Sequence, residues 1–348
     1  MIPRPRRRSA TGVARARTLP TLPDDPFISV VVPVRDSAAT LSATVAATLQ
    51  PEVDEVVLAV GPSGDGTLAV ARDLAARHPR VHVVDNPGGR TPSALNRAIA
   101  ASCGQVLVRV DAHARLPEGY VARAVATLRA TGAANVGGRQ VPEASGGVAA
   151  AIAAAMRSSW GAGGATYRVG GRPGPVDTVY LGVFRREALE EVGGFDESFI
   201  RNQDAELNLR LRRAGYLVWF DPELAVAYQP RASLRALARQ YREYGRWRRA
   251  TARRHPGSLA LRQLAPPALV LVLAGAGLAA VVRADPRPLA LVVSGYLLGV
   301  GAAGASAADE LRDAPATTLA LLTMHLAWGV GFLQGPPLSR GSRTHGRT

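Results

Sequence analysis

The sequence has 348 residues, of which 47% are hydrophobic, and its formal net charge of +15 comes from arginine alone because the chain contains no lysine. This length allows one large α/β domain with an appended region. A basic protein is attracted to anionic lipid surfaces and polyphosphates. The arginines cluster beside apolar segments and form no recognised nucleic-acid-binding motif, so we predict no nucleic-acid partner. The single cysteine, Cys103, excludes an internal disulfide framework and a cysteine-based zinc site, and we predict a small buried thiol.

Residues 1–26 are predicted to be a disordered basic tail followed by a proline-punctuated linker. A secretory signal needs an apolar stretch of about 7–15 residues behind its charges. The arginine-rich start lacks such a stretch, so we expect the catalytic part of the protein to stay in the cytoplasm.

Short apolar, β-branched runs alternate with helical patterns from residue 28 to about residue 130. The predicted strands are 28–34, 55–60, 81–85 and 105–110, and the predicted helices are 41–49, 67–77, 92–101 and 117–130. Thr91 is the expected N-cap of the third helix. The apolar runs suit strands that are buried on both faces. The alternation therefore predicts an α/β fold with a doubly wound, mostly parallel sheet flanked by helices.

The pattern is looser after residue 130. We predict helices at 146–159, 186–192 and 204–214, strands at 176–184, 217–220 and 225–228, and a glycine-rich loop at 161–175. No internal repeat is evident.

Residues 231–262 form a basic amphipathic segment, in which ten arginines are interspersed with leucine, tyrosine and tryptophan. Two interpretations are open for it. The segment is either the solvated face of a helix or a helix that lies on anionic lipid headgroups beside membrane spans, and we favour the second.

Three stretches without a formal charge follow, at 264–282, 288–308 and 315–337. An α-helix needs roughly 20 apolar residues to cross a bilayer, so we predict two to three spans within 263–337 and a basic tail at 338–348. The positive-inside rule places 231–262 in the cytoplasm. Three spans would put the basic tail outside, so one stretch is alternatively interfacial or re-entrant.

The pattern Asp111-Ala-His113 follows a buried strand and therefore lies at a carboxyl edge of the sheet, where open α/β sheets bind ligands. A carboxylate there can hold Mg²⁺ or Mn²⁺ against a diphosphate, and an imidazole ligand at His113 favours Mn²⁺. The alternative is an aspartate that only caps the next turn.

Asp204 and Glu206 open a predicted helix, whose positive dipole end favours anions. The helix packs against the core through Leu207, Leu209 and Leu211. Asp204 can then face a crevice and deprotonate an acceptor hydroxyl. The alternative is an ordinary acidic first turn. The glycine-rich turn 61–67 after the second strand lets a nucleotide approach the backbone, although it matches neither a dinucleotide fingerprint nor a P-loop.

Together these motifs resemble family 2 glycosyltransferases of the GT-A fold, and among them the succinoglycan-type bacterial polysaccharide glucosyltransferases. The matching stretches are VVVPVRD (30–36), SGDGT (63–67), NPGGRTPSALNRAI (86–99), VRVDAHARLP (108–117), VGGFDE (192–197) and NQDAELNLRLRRAG (202–215). The resemblance implies a GT-A domain at 27–230, a divalent metal at Asp111 and His113, and Asp204 as the general base. It also implies nucleotide contacts; the residues concerned are Pro33, Arg35, Asp65, Arg90 and Asp111.

The resemblance implies an inverting transferase that moves a sugar from a nucleotide-sugar, a UDP-linked hexose, to a lipid-linked saccharide in cell-surface polysaccharide synthesis. The expected location is the cell membrane, as a multi-pass protein with a cytoplasmic catalytic domain. Two alternatives stay open. One is sugar transfer to polyprenyl phosphate itself. The other is a catalytically inactive, nucleotide-binding membrane scaffold, because Val60 stands where the family commonly has an aspartate.

Overall fold

The computed structural model describes residues 17–336 and contains one mixed eight-stranded sheet. Its first half consists of four parallel strands in the order β3-β2-β1-β4; these are β1 (Ile28–Val34), β2 (Glu55–Val60), β3 (Val81–Asp85) and β4 (Val106–Arg109). All of β2 and β4 is buried, which agrees with the continuous apolar runs of their sequences.

Four helices follow these strands in turn: α1 (Ala38–Thr48), α2 (Thr67–Arg77), α3 (Thr91–Ala100) and α4 (Tyr120–Thr131). The predictions for this half are confirmed to within about three residues at each boundary. One capping prediction is wrong, because α3 already begins at Thr91 and Arg90 occupies the N-cap. The prediction for Cys103 is also wrong. Its thiol is exposed, and its backbone N–H donates to Glu55 Oε1 at 2.7 Å.

The second half of the sheet mixes strand directions. It comprises β5 (Asn135–Pro142), β6 (Gly174–Pro175), β7 (Tyr180–Arg185) and β8 (Val218–Tyr228), in the order β4-β7-β5-β8-β6. Strand β7 is antiparallel to both β4 and β5, whereas β5 and β8 are parallel. The sequence patterns missed β5, because Gly137 and Gly138 lower its strand propensity.

Those two glycines are required where β5 bulges. A Cβ on Gly138 would lie 1.7 Å from the carbonyl oxygen of Leu224, and one on Gly137 would lie 2.6 Å from that of Tyr180. The pairing with β8 shifts register at this point. The predicted strands 217–220 and 225–228 are one strand, β8, because its irregularity around Pro222 interrupts the apolar pattern without ending the pairing.

Apolar clusters cover both faces of the sheet. On one face, α1, α2 and α4 pack on alternate residues of the strands, such as Val30 and Val32. On the other face, α3 packs with α8 (Arg186–Glu191) and α9 (Gln203–Arg213). The result is a three-layer α/β sandwich, as predicted.

Residues 17–26, which comprise the last residue of the predicted basic tail and the linker, contact this sandwich. Leu22 is 5% exposed within the first apolar cluster. Arg17 N–H donates to Gly215 O at 2.8 Å, and Arg185 Nη2 donates to Pro20 O at 2.6 Å. Residues 1–16 of the predicted N-terminal tail, residue 337 of the predicted membrane region and the predicted basic tail 338–348 lie outside the described residues.

A helical region completes the fold. It contains α5 (Gly147–Arg157), the short helices α6 (Ser159–Ala162) and α7 (Thr166–Val169), α10 (Leu234–Arg254), α11 (Ala265–Arg283), α12 (Arg287–Ala307) and α13 (Ala314–Gln334). Helix α7 falls inside the predicted glycine-rich loop. Helices α11, α12 and α13 are long and apolar enough to cross a membrane.

Helix α13 is the centre of this helical region, and glycines allow close contacts on several of its sides. A Cβ on Gly331 would lie 2.0 Å from Arg242 O of α10, and a Cβ on Gly329 would lie 2.4 Å from Pro266 O of α11. A Cβ on Gly304 of α12 would lie 2.0 Å from Thr318 Oγ1. Small residues of this kind let helix backbones approach each other closely.

Segment 231–262 is therefore packed into the protein and is not only an arginine-rich surface. Its main part, α10, buries one face against α13, including Leu237 and Tyr241. Arg242 and Arg246 donate to Gln334 Oε1, and Arg249 donates to Phe332 O at 3.1 Å. These cations lie at the negative end of the α13 dipole, so part of the predicted headgroup-binding charge is used inside the protein.

Candidate active site

Asp111 lies where the central parallel strands end. Val31 of β1 pairs with Arg109 of β4, and Val110 N–H donates to Val31 O at 3.1 Å, so the chain leaves the sheet at Asp111. A tight turn follows, in which Ala114 N–H donates to Asp111 O at 2.8 Å. Thr40 of α1 fixes this turn by donating to Ala112 O at 2.8 Å. The predicted position of Asp111 at the carboxyl edge is confirmed.

Asp204 is the second residue of α9. Asn202 precedes the helix with φ +61°, a left-handed conformation that asparagine tolerates better than most residues. Leu207 and Leu211 are fully buried under the sheet. With these leucines inside, the first turn of α9 faces the open end of the sheet.

Buried polar contacts hold α9 in place. Asn135 Nδ2 of β5 donates to Asn208 Oδ1 at 2.6 Å, and Asn208 Nδ2 donates to Thr178 Oγ1 at 2.8 Å. Glu206, 1% exposed, accepts from Arg210 Nε at 2.8 Å and lies 2.8 Å from His255 Nε2. Glu206 thus ties α9 to the end of α10, and of these two acidic side chains Asp204 is the one that lines the cavity described below.

Arg109 joins the two aspartates. Its side chain is 5% exposed, and it donates from Nη2 to Asp111 Oδ1 at 2.8 Å and from Nη1 to Asp111 Oδ2 at 3.3 Å. Its Nε lies 3.5 Å from Asp204 Oδ1. Neither of these last two atoms has a hydrogen-bond partner in the described residues. Asp111, predicted at the carboxyl edge of the sheet, and Asp204, predicted to face a crevice, therefore meet on a single buried guanidinium.

This environment raises the pKa of Asp204 above the usual aspartate value. The main cause is loss of contact with water, the charge of Asp111 adds to it, and Arg109 opposes it. The side chain keeps 34% exposure because it lines the cleft, while its Oδ1 atom is buried. A carboxylate with a raised pKa is a better proton acceptor than an ordinary one.

Three loops form the rim of the site above β1, β2 and β3. Arg35 Nη1 donates to Gly89 O at 3.2 Å, Asp36 N–H donates to Ser63 Oγ at 3.0 Å, and Gly64 N–H donates to Asp36 Oδ1 at 3.1 Å. These contacts join the ends of the three strands. The rim lies at the carboxyl edge of the parallel strands, where this class of fold binds nucleotides.

Asp65 has a capping role in this rim. Its carboxylate accepts from Ala38 N–H at 3.0 Å, at the start of α1, and from Thr67 N–H at 3.1 Å and the Thr67 hydroxyl, at the start of α2. These donors, led by the Thr67 hydroxyl, lower the pKa of Asp65. Its predicted contact with a nucleotide stays a prediction.

One cavity of about 610 Å³ runs from the rim past both aspartates to the apolar helices. Of the predicted site residues, five line it: Pro33, Arg35, Asp111, His113 and Asp204. Asp65 and Arg90 are not among its lining residues; Arg90 is exposed and its carbonyl accepts from Asn86 Nδ2 at 3.1 Å.

Sequence patterns missed other residues of the cavity. Eight arginines and three aspartates line it, so it suits polyanionic ligands. Arg109 was detectable as the one charge inside the apolar run 105–110, two residues before Asp111. Arg168, within the glycine-rich segment, gave no recognisable signal.

The residues at Asp111 fit a divalent cation only in part. Asp111 and His113 both line the cavity, while the described residues contain no cluster of three or more histidine, cysteine or acidic side chains that could hold a metal alone. Mg²⁺ and Mn²⁺ commonly bind through one or two protein carboxylates plus substrate phosphates. The donor set therefore fits a cation that is shared with a bound diphosphate.

The similarity of this chain to known proteins agrees with the geometry. The family model described as "Glycosyl transferase family 2" matches residues 29–193. The "Succinoglycan biosynthesis protein ExoA" of Rhizobium meliloti is 36% identical over 308 residues, which cover 87% of this chain and 93% of that protein. The "Dolichyl N-acetyl-alpha-D-glucosaminyl phosphate 3-beta-D-2,3-diacetamido-2,3-dideoxy-beta-D-glucuronosyltransferase" of Methanococcus voltae is 26% identical over 199 residues, which cover 55% of this chain and 62% of that protein.

A solved structure has a similar fold. The mannosyltransferase PcManGT from Pyrobaculum calidifontis, in complex with GDP-Man and Mn²⁺, superposes with a TM-score of 0.61 at 20% identity, over 91% of this chain and 90% of that chain. This likeness confirms the GT-A fold. With the 36% identity over nearly the full length of a relative and the match to the family model, the chain belongs to the family 2 glycosyltransferases.

Proposed function

We propose that this chain is an inverting hexosyltransferase that moves a sugar from a nucleotide-sugar, a UDP-linked hexose, to a lipid-linked saccharide in cell-surface polysaccharide synthesis. The observation that carries the proposal is the meeting of Asp111 and Asp204 on Arg109 in one cavity. The relative named for succinoglycan biosynthesis supports the polysaccharide context. The apolar helices beside the cavity support an acceptor that stays in the bilayer.

Asp204 acts as the general base in this proposal. It accepts the proton of an acceptor hydroxyl, whose oxygen attacks the anomeric carbon from the side opposite the nucleoside diphosphate. The bond between that carbon and the phosphate oxygen breaks, its electron pair leaves with the diphosphate, and the configuration of the sugar inverts. General-base action of this kind contributes about 10²–10⁴-fold to a rate.

The other residues position the two substrates. Arg109 holds both carboxylates at the same end of the cavity, and Arg35 and Pro33 line the donor side. A divalent cation, Mn²⁺ or Mg²⁺, held by Asp111 and His113 would offset the negative charge on the departing diphosphate. Holding both substrates in reactive geometry can lower the barrier by up to about 7–11 kcal/mol.

Replacement of Asp204 by Asn tests the base assignment. Asn keeps the size of the side chain but cannot accept the proton, so we expect transfer to fall by at least about 10²-fold while UDP-sugar binding is preserved. Purified full-length protein is assayed with UDP-hexoses and lipid-linked saccharides, and donor binding is measured by titration calorimetry. Asp73→Asn, on the exposed face of α2, is the matched control. Unchanged turnover of Asp204→Asn would refute the assignment.

The choice of acceptor separates this function from the alternatives. The same assay offers a prenyl monophosphate in parallel with the lipid-linked saccharide. Transfer to the monophosphate alone would indicate a polyprenyl-phosphate transferase, which needs no base. Donor binding without turnover on any acceptor would indicate the inactive scaffold.

A further inference from the structure

Arg168 is a buried cation that the proposed chemistry does not use. It lies on α7, is 7% exposed, and donates from Nη1 to Tyr241 Oη at 2.8 Å. Three tyrosine rings surround it, with their centroids 5.5–5.9 Å from the guanidinium carbon; they belong to Tyr167, Tyr241 and Tyr244. We call these four residues the tyrosine cage.

The cage leaves Arg168 without a counter-charge. Within residues 17–336, its guanidinium donates to the neutral Tyr241 hydroxyl and not to a carboxylate, and its Nε has no hydrogen-bond partner. Aromatic faces attract a cation electrostatically but supply no counter-charge. A buried charge ordinarily requires a paired and hydrogen-bonded anion, so the cage has the character of an anion-binding site.

The position of the cage indicates which anion. Arg168, Tyr241 and Tyr244 line the same cavity as Asp204. Tyr241 also belongs to the apolar cluster that contains Leu321 and Met324 of α13. The cage thus lies on the path between the proposed base and the apolar helices, and not at the donor rim formed by β1, β2 and β3.

We propose that the tyrosine cage binds the phosphate or diphosphate that links the acceptor's saccharide to its lipid. Arginine suits this ligand because its planar fork pairs two phosphate oxygens at once. The saccharide then points towards Asp204 and the lipid towards α11 and α13, where Pro266, Met324 and Trp328 line the cavity. This inference rests on the proposed function. It adds Arg168 as the group that positions the acceptor relative to Asp204.

Binding measurements test the cage without relying on turnover. The full chain, purified in neutral detergent, is titrated separately with farnesyl diphosphate, farnesol and UDP. For Arg168→Gln we expect farnesyl diphosphate to bind about ten- to a hundredfold more weakly, because a hydrogen-bonded charge pair is lost, while UDP binding is unchanged. Arg172→Gln, exposed in the same segment and outside the cavity lining, is the control and should bind all probes normally.

Titrating with farnesyl diphosphate and with UDP distinguishes a site for the phosphate of a lipid from a site for the phosphate of a nucleotide. Equal farnesyl diphosphate affinity in wild type and Arg168→Gln would overturn the proposal, and so would a loss confined to UDP, which would assign the cage to the donor. If farnesyl diphosphate binding depends on Arg168 but no nucleotide-sugar is turned over, the anion site stands and the proposed function fails.

A second variant guards against misfolding. Arg168→Lys keeps the charge but loses the planar fork, so it should restore part of the farnesyl diphosphate affinity. Preserved UDP binding in both variants shows that the catalytic half is folded. An Arg168→Lys protein that binds UDP normally and farnesyl diphosphate no better than Arg168→Gln does would contradict recognition by charge.

Discussion

Arg109 sets the properties of the carboxylate that we propose as the base. It lies between Asp111 and Asp204, and it is the group that opposes the rise in the pKa of Asp204. Asp204 works only when it is deprotonated, so activity should be present above its pKa and lost as the pH falls through it. Because that pKa lies above the usual value of 3.8, the acid limb of kcat/KM should lie above pH 3.8.

Removal of the Arg109 guanidinium should shift the acid limb of the kcat/KM profile to higher pH. In Arg109→Gln, Asp204 loses its nearby opposite charge, so its pKa rises and the acid limb should shift to higher pH by about one unit or more. The measurement is the pH dependence of kcat/KM for sugar transfer. Arg115→Gln, exposed shortly after the same motif and outside the cavity lining, should keep the wild-type limb. An identical limb in Arg109→Gln would contradict the role of Arg109.

The packing of helix α13 depends on single glycine residues. Gly331 faces the carbonyl of Arg242 so closely that an added Cβ would lie 2.0 Å from the oxygen, and the neighbour is backbone. Gly295 of α12 has no heavy atom of another element within 4 Å of an added Cβ, among the described residues. The two positions therefore form a matched pair of helical glycines.

Alanine at these positions should have opposite effects. Gly295→Ala should be neutral or slightly stabilising, because alanine favours the helix by about 0.5–1 kcal/mol. Gly331→Ala should destabilise by about 1–3 kcal/mol, because α10 and α13 must move apart. Thermal unfolding in detergent, followed by circular dichroism, measures both. Equal midpoints for the two variants would contradict the close α10–α13 contact.

At the scale of the whole molecule, the packing of α10 on α13 bears on membrane topology. Helix α10 carries eight arginines in 21 residues and lies beside α13: Leu237 shares an apolar cluster with residues of α13, and Arg249 donates to Phe332 O. Each arginine at the centre of a bilayer costs about 2.5–3.5 kcal/mol. Since α10 cannot enter the hydrocarbon, α13, which is packed along it, is expected to lie at the interface.

Helices α11 and α12 differ from α13 in this respect. Their buried residues lie at one end of the pair, at Pro267 and at Val300, Ala303 and Gly304, while the opposite end is exposed. At 1.5 Å per residue, each is about 30 Å long, which matches the hydrocarbon core. We therefore expect this hairpin alone to cross the membrane, with both of its bases on the side of the catalytic domain.

Cysteine labelling tests this topology. In a Cys103→Ser background, a membrane-impermeant maleimide should label Asp285→Cys, at the hairpin tip, in intact cells. It should label Pro336→Cys, after α13, only once the cells are permeabilised. Asp73→Cys, in the catalytic half, serves as the internal reference. Labelling of the cysteine at position 336 in intact cells would show that α13 crosses the bilayer.

The amino-acid sequence by itself determined those features of this protein that depend on neighbouring residues in the chain. Strands β1–β4, the helices between them and the three apolar helices were predictable because hydrophobic periodicity and charge-free length are properties of neighbouring residues. Asp111 and Asp204 could be placed in one cleft because each ends or begins a recognisable element at the same edge of the sheet.

Tertiary structure alone decided the rest, because it depends on residues that are distant in the chain. Strand β5 exists because Gly137 and Gly138 fit against Tyr180 and Leu224, which local propensity cannot register. Arg109 joins carboxylates 93 positions apart, and Arg168 becomes an anion site only where Tyr241 of α10 closes over it. The face of α10 that appeared free for lipid is covered by α13, since burial of apolar surface is settled by whichever partner the whole fold brings near.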